Sequence, residues 1–347
     1  MNNPFNITFG KIPNNSIITR TSELEQIYNS FNSEQPNSQV YILTGVRGSG
    51  KTVAMTVVSD YYANKKEWIC VELNPETDML EQLASKLFDE GKLRNFFSKN
   101  EFNYSFKEIG FSINSTVAIT NASTFLSKEL SHLKKKNKKV LITIDEVISN
   151  SYMRIFAHEF QKFIREDYNV CLLMTGLYHN ISVLENEKRL TFLYRAPKIY
   201  ISELNVKAIA NSYKKIFNIS DKESINLAKT TNGYAYAYQL LGNILYTKNK
   251  TKLDEDIIDE LDELLYERAY SIIYNKLTNK EKEILKIAAY KDTNKEIQES
   301  INISKSQLSS YKKKLFLNGI INKDKERIIF KLPRFKEFLQ FKIDYEE

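Results

Sequence analysis

Apolar positions along the chain follow two rhythms in succession. Ahead of Leu204, runs of consecutive apolar and β-branched residues at Val40–Thr44, Trp68–Leu73, Val140–Ile144, Val170–Thr175 and Lys198–Ile201 predict buried strands. Between them, apolar residues spaced for one helical face predict helices over Lys51–Tyr62, Asp78–Phe88, Thr124–Lys135 and Tyr152–Arg165. Ser22 and Glu25 have capping-box spacing, which opens another helix running to about Phe31. Strands alternating with helices build an α/β structure, a parallel sheet covered on both faces. Asn100–Asn121 matches neither rhythm and reads as an irregular, weakly β-like insertion.

Beyond Leu204 the strand signal fades. Val206–Phe217, Asp221–Thr230, Ala235–Tyr246 and Asp254–Ile273 carry helical periodicity, which predicts an all-helical domain over residues 204–276. From 277 to 347 the pattern changes again. Thr278 with Glu281, Thr293 with Glu296, and Ser304 with Gln307 are successive capping boxes, each opening a short helix. Gly319 stops the third helix, and Ile320–Asn322 and Arg327–Leu332 are strand-like runs around the polar turn Lys323–Glu326. Such helices followed by a hairpin predict a winged helix-turn-helix.

Composition changes this picture only in places. A hydrophobic content of 42% with 12% aromatics suffices for packed cores and excludes wholesale disorder. There is no run of eighteen apolar residues, which argues against a membrane span. Met1–Phe5 lacks the basic-then-apolar pattern of a secretory signal. Cys70 and Cys171 each fall in an apolar strand run and read as core residues of a reduced, cytoplasmic protein. The histidines, His132, His158 and His179, have no metal-ligand spacing with them, so no transition-metal site is expected. The net charge is +7 and invites a nucleic-acid reading, although abundant Lys, Asn, Ile and Tyr are also what an AT-rich coding sequence yields. Its distribution says more: Asn279–Glu347 holds 16 Lys and Arg against 11 Asp and Glu. The run Lys134–Lys139 reads most simply as a solvated helix end, with a binding patch as the alternative.

The chemistry concentrates in Gly45-Val46-Arg47-Gly48-Ser49-Gly50-Lys51-Thr52, which satisfies G-x-x-x-x-G-K-[ST] between a predicted strand and a predicted helix. Glycines at 45, 48 and 50 let the backbone curl around a phosphate and aim its N–H groups inward at a helix N-terminus. Lys51 would reach the β- and γ-phosphates, and the Thr52 hydroxyl would ligate Mg²⁺. Val140–Ile144 ends in Asp145-Glu146, acids that would face the phosphate crevice from a parallel strand's carboxyl end. Alone they read equally as a cap. Beside the loop they read as a Walker B pair, Asp145 holding Mg²⁺ and Glu146 polarising the attacking water. Thr175 is placed either to meet a γ-phosphate or the lytic water, or simply to close a strand. Arg195, just before the fifth strand, would neutralise transition-state charge in its own or a neighbouring subunit, or form a surface ion pair. In the helix after Ser304, Leu308 and Leu315 turn inward. Lys305, Gln307, Ser310, Lys312, Lys313 and Lys314 are then exposed, with Lys325 and Arg327 on the wing, an arrangement suited to duplex DNA or to a protein partner.

In this order the motifs resemble bacterial and archaeal ATP-binding proteins related to the origin-recognition AAA+ initiator ATPases and to archaeal-type STAND ATPases. The resemblance starts at Asn3-Pro4-Phe5, Phe9-Gly10, Pro13 and Arg20, similar to that family's N-terminal box beside the adenine. It continues through the loop, Ile144-Asp145-Glu146, Met174-Thr175-Gly176-Leu177 and Leu190–Ala196 to Asn232-Gly233-Tyr234-Ala235-Tyr236 and Gln239–Gly242. It implies an additional-strand P-loop sheet over 1–203, a helical lid over 204–276 and a winged helix over 277–347. It also implies that Phe9, Pro13, Arg20, Gly233 and Tyr234 contribute to nucleotide binding, and it favours Arg195 as the family's arginine before the last strand. One departure stands out: Gly233–Gly242 lacks the arginine that initiator relatives often carry in the lid. Slow hydrolysis of ATP to ADP is therefore expected. The combined expectation is an ATP- and Mg²⁺-dependent switch acting on double-stranded DNA through its winged helix. The alternative is a signalling or defence ATPase holding a protein partner, and association with a second copy stays open.

Overall fold

The computed structural model describes residues 2–8, 16–89, 115–187 and 191–345. The chain forms two compact units, one of Ser22–Thr44 and Ala54–Tyr200, the other of Met1–Thr21, Gly45–Val53 and Ile201–Glu347.

In the first unit the apolar runs become β1 (Val40–Thr44), β2 (Trp68–Leu73), β3 (Lys139–Ile144), β4 (Val170–Gly176) and β5 (Lys198–Tyr200). They form one sheet of order β2-β3-β4-β1-β5 in which every neighbouring pair is parallel. The strand β4 thus separates β1, which leads into the glycine loop, from β3, which ends at the acids. Every residue of β1 and β4 is buried, so their unbroken hydrophobicity reflects cover on both faces. Alternate residues serve opposite sides. Val40 and Ile42 pack into a core with Leu83 and Leu87 of α3 (Met79–Asp89), Leu126 and Leu130 of α4 (Ser115–Lys135), and Phe156 and Phe160 of α5 (Ser151–Arg165). Tyr41 turns the other way, onto Phe31 of α1 (Thr21–Asn32); that ring and Trp68 also meet Tyr62 of α2 (Lys51–Ala63). Short helices α6 (Tyr178–Glu185) and α7 (Thr191–Arg195) complete the unit.

The second unit is helical: α8 (Val206–Phe217), α9 (Asp221–Thr231), α10 (Ala235–Thr247), α11 (Glu255–Leu265), α12 (Ser271–Asn275), α13 (Asn279–Ala288), α14 (Asn294–Ile301), α15 (Lys305–Leu317) and α16 (Phe335–Tyr345). One core runs through it, from Ile209 and Tyr213 through Leu241, Leu261 and Tyr270 to Leu285, Leu315, Phe335 and Phe338. The N-terminal segment is held there by Phe5, which packs on Tyr213, Phe217 and Tyr238. Gly242 makes the room, since a Cβ at that position would lie 2.3 Å from the Phe5 ring. Reciprocal capping boxes start α9 at Ser220, α13 at Thr278 and α15 at Ser304. Among the described residues no helix is long and apolar enough to cross a membrane.

Four expectations are corrected here. Residues 115–121, read as weakly β-like, open α4; the insertion's residues 100–114 lie outside the described ones. The helix expected over Asp254–Ile273 is broken by a π-helical turn at Tyr266–Tyr270, which carries Tyr270 into the core. The strand-like runs after Gly319 pair only briefly, through the antiparallel bridge of Ile321 to Phe330 with Asn322 N on Ile329 O (2.8 Å) and Lys331 N on Ile320 O (2.9 Å), while Arg327 bridges to Thr293. Last, α16 was not expected. Phe335, Phe338 and Leu339 have the spacing of a buried helical face, and Arg334 ahead of them is fixed by Asp262.

Candidate functional site

The glycine loop continues directly from β1 and belongs to the helical unit. Gly48 and Gly50 have φ of +78° and +91°, a region that side chains with a Cβ avoid. Five consecutive carbonyls of the loop each accept a bond from within the unit. Lys51 Nζ reaches Gly45 O at 3.2 Å and Val46 O at 2.9 Å. Tyr234 Oη donates to Arg47 O at 2.8 Å, and Tyr236 N donates to Gly48 O at 3.1 Å. Arg20 places one guanidinium nitrogen on Ser49 O at 2.8 Å and the other on Ser202 O at 2.7 Å. A loop whose carbonyls are all engaged this way can offer its N–H groups to an anion. The Ser49 hydroxyl is buried and has no hydrogen-bond partner among the described residues, a polar group that an entering phosphate would satisfy. By this test the loop fits a polyphosphate.

A second contact ties the loop to the C-terminal helices. Gly319, at φ +72° just after α15, lies so close to Val46 that an added Cβ would sit 2.8 Å from the valine Cβ. Asn232, beside the loop-binding tyrosines in sequence, also donates to Lys331 O at 2.9 Å beyond the hairpin turn. From the sequence, Gly319 was expected only to stop a helix. Tyr236 acts through its backbone N–H, for which no side-chain pattern could speak.

The acids are set by other means. Asp145 and Glu146 follow β3, and the neighbouring β4 brings up Thr175, which is fully buried. The Thr175 hydroxyl donates to the Asp145 carboxylate and accepts from Glu146 N at 3.0 Å, while Thr175 O accepts from Val147 N at 2.9 Å. Glu146 takes φ +50° in this turn, and its side chain is exposed. Asp145 is half-buried. The Asp145 carboxylate is an oxygen ligand of the kind Mg²⁺ prefers.

The remaining expected residues divide. Arg195 ends α7 and is exposed. Gly233 has φ +75° and packs against the chain at Glu203–Leu204, and Tyr234 is buried behind the loop. Phe9 and Pro13 lie outside the described residues. Lys305, Gln307, Ser310, Lys313, Lys314, Lys325 and Arg327 are exposed. Lys312 is not, which corrects its reading as a surface cation. Its ammonium is buried on Asn294 Oδ1 (2.7 Å) and Arg327 O (2.8 Å), and burial lowers its pKa.

Residues 16–179 match the family described as the res subunit of type III restriction enzymes, just under half of the chain. No protein of curated function matches the sequence. Solved structures match it over nearly all its length. A Walker-type ATPase of Pyrococcus abyssi superposes with a TM-score of 0.64 at 13% identity, covering 93% of this chain and 96% of that one. The chain has the fold of these ATPases. The ORC2 protein of Aeropyrum pernix, solved with ADPNP and ADP, gives a TM-score of 0.57 at 14% identity, over 98% and 97% of the two chains. Cdc6p of Pyrobaculum aerophilum gives 0.51 at 16% identity, over 98% and 97%. The P-loop sheet with its extra central strand and the helical unit after it are thus those of the origin-recognition fold.

Proposed function

We propose that this chain is an ATP-driven switch whose nucleotide state is read by its C-terminal helices. The carrying observation is the contact of Val46, inside the phosphate loop, with Gly319, at the end of α15. A phosphate that reshapes the loop must move, or strain against, the turn that ends α15. On this reading the parts are an ATPase core (1–203), a lid (204–276) and a winged helix (277–347).

The triphosphate would lie in Gly45–Thr52, with Lys51 leaving its loop carbonyls for the β- and γ-phosphate oxygens. When bound, Mg²⁺ supplies positive charge to those oxygens, and Thr52 and Asp145 would hold it. Glu146, exposed and turned by its positive φ, orients the attacking water and takes up its proton. Thr175 acts as a positioning residue, because its hydroxyl is already spent on Asp145 and Glu146. Arg20 and Tyr234 hold the loop from its carbonyl side. Arg195, exposed, suits action on a neighbouring copy. Duplex DNA would meet Lys305, Gln307, Ser310, Lys313 and Lys314 on α15 and Lys325 and Arg327 on the wing, without Lys312.

The test is hydrolysis by purified protein with and without duplex DNA, beside Lys51→Ala and Glu146→Gln. Slow turnover that DNA changes, lost in both variants while Glu146→Gln still binds ATP, is the expected result. Turnover that survives in either variant would overturn the assignment.

A further inference from the structure

A recess of about 720 Å³ opens on the helical unit along α13, within the size range of ligand clefts. It involves neither the phosphate loop nor the exposed residues of α15. Lys282 and Lys286 line it one four-residue step apart on one face of α13, roughly 6 Å from each other, and Tyr290 lines it from the turn just after the helix. Lys291 adds a third cation, and Ile287 and Tyr274 supply apolar surface. Lys282 Nζ stands 5.0 Å from the centre of the Tyr274 ring, and the Tyr290 side chain is 56% exposed. The lining acid, Glu283, is engaged by Lys280 at 2.8 Å, and the Tyr290 hydroxyl donates to Asp344 at 3.3 Å.

We propose that this recess binds a single strand of nucleic acid. Cations repeating along one helical face track a polyanion, and an exposed aromatic face beside them is useful to an unpaired base, which can stack on it. A duplex keeps its bases stacked on one another and offers a recess only its convex backbone. The lysines alone would also suit an acidic peptide; the open Tyr290 ring among them favours the nucleic acid. The site is independent of the nucleotide reading and stands or falls separately.

The test is fluorescence anisotropy of the full chain with a labelled oligothymidylate of about twelve nucleotides, an ordinary site size for such strands, across a salt series. Affinity should fall steeply with salt. The triple variant Lys282→Ala/Lys286→Ala/Lys291→Ala should bind about ten-fold more weakly or worse, with a log–log salt slope shallower by about 2. Tyr290→Ala should lose about ten-fold while Tyr290→Phe binds as wild type does, since stacking needs the ring and not the hydroxyl. Unaltered thermal melting would show that the surface variants are folded. No binding at low salt, binding unaffected by the triple variant, equal affinity in Tyr290→Ala, or stronger capture of a polyglutamate peptide of equal length would each overturn the proposal.

Discussion

The phosphate loop and the acid edge are held in opposite ways, each within its own unit. Asp145 and Glu146 stand at the end of a buried strand, and one neighbouring side chain, Thr175, fixes both through short-range bonds inside the sheet. The loop is held by polar contacts from Arg20, Tyr234 and Tyr236, remote in sequence, and by the turn at Gly319 packed against Val46. A sheet edge buried on both faces has one stable arrangement. A loop held through hydrogen bonds worth about 1 kcal/mol each can exchange some of them for a ligand. The contrast assigns constancy to the acids and responsiveness to the loop.

The largest effect that would sharpen this contrast is expected from Gly48→Val. The new side chain would meet the Tyr234 hydroxyl, 2.3 Å from the Cβ position, in a backbone conformation valine resists. Nucleotide binding should vanish in calorimetry, with about 3 kcal/mol or more of stability lost. Near-normal binding would mean that the loop is not held as described. Thr175→Val should come next. It removes a buried donor and acceptor at a cost of about 1–3 kcal/mol. Turnover should fall while ATP affinity in a binding titration stays near wild type; a matching fall in affinity would break the separation of the two regions. Tyr234→Phe should do the reverse and more mildly. It deletes one hydrogen bond to the loop, about 1 kcal/mol, so affinity should drop several-fold with turnover at saturation unchanged.

The smallest effect concerns pH. Glu223, in the capping box that opens α9, has its pKa lowered to about 2 by the Ser220 hydroxyl, the Ser220 backbone N–H and Lys252. A depressed carboxylate pKa adds stability above the unfolded value near 4.5, and this is lost as pH falls towards 2. Glu223→Gln should therefore flatten the acid limb of the unfolding curve in that window, with its small loss of stability constant above it and vanishing towards pH 2. An unchanged acid limb would remove this group from the account.

Legibility in the sequence follows the same division. A strand such as Val40–Thr44 was readable to the residue, because burial on both faces leaves an unbroken apolar run. Gly45–Thr52 and Asp145-Glu146 stood out in the sequence because phosphate chemistry would need those residue types at those spacings. The holders of the loop were not. Tyr236 works through its backbone and Gly319 through a missing side chain, and a one-dimensional pattern marks neither. Lys312 misled for a related reason: periodicity placed it near the surface, but the bonds that bury its ammonium come from Asn294 and Arg327 on other segments.

The decisive comparison is duplex DNA affinity with a non-hydrolysable ATP analogue against that with ADP, for the wild-type chain and for Val46→Ala. The account predicts at least a ten-fold difference between the two nucleotides in the wild type, a coupling of about 1.4 kcal/mol, and its loss in Val46→Ala with nucleotide binding retained. Equal affinities in the wild type, or an undiminished difference in Val46→Ala, would contradict it.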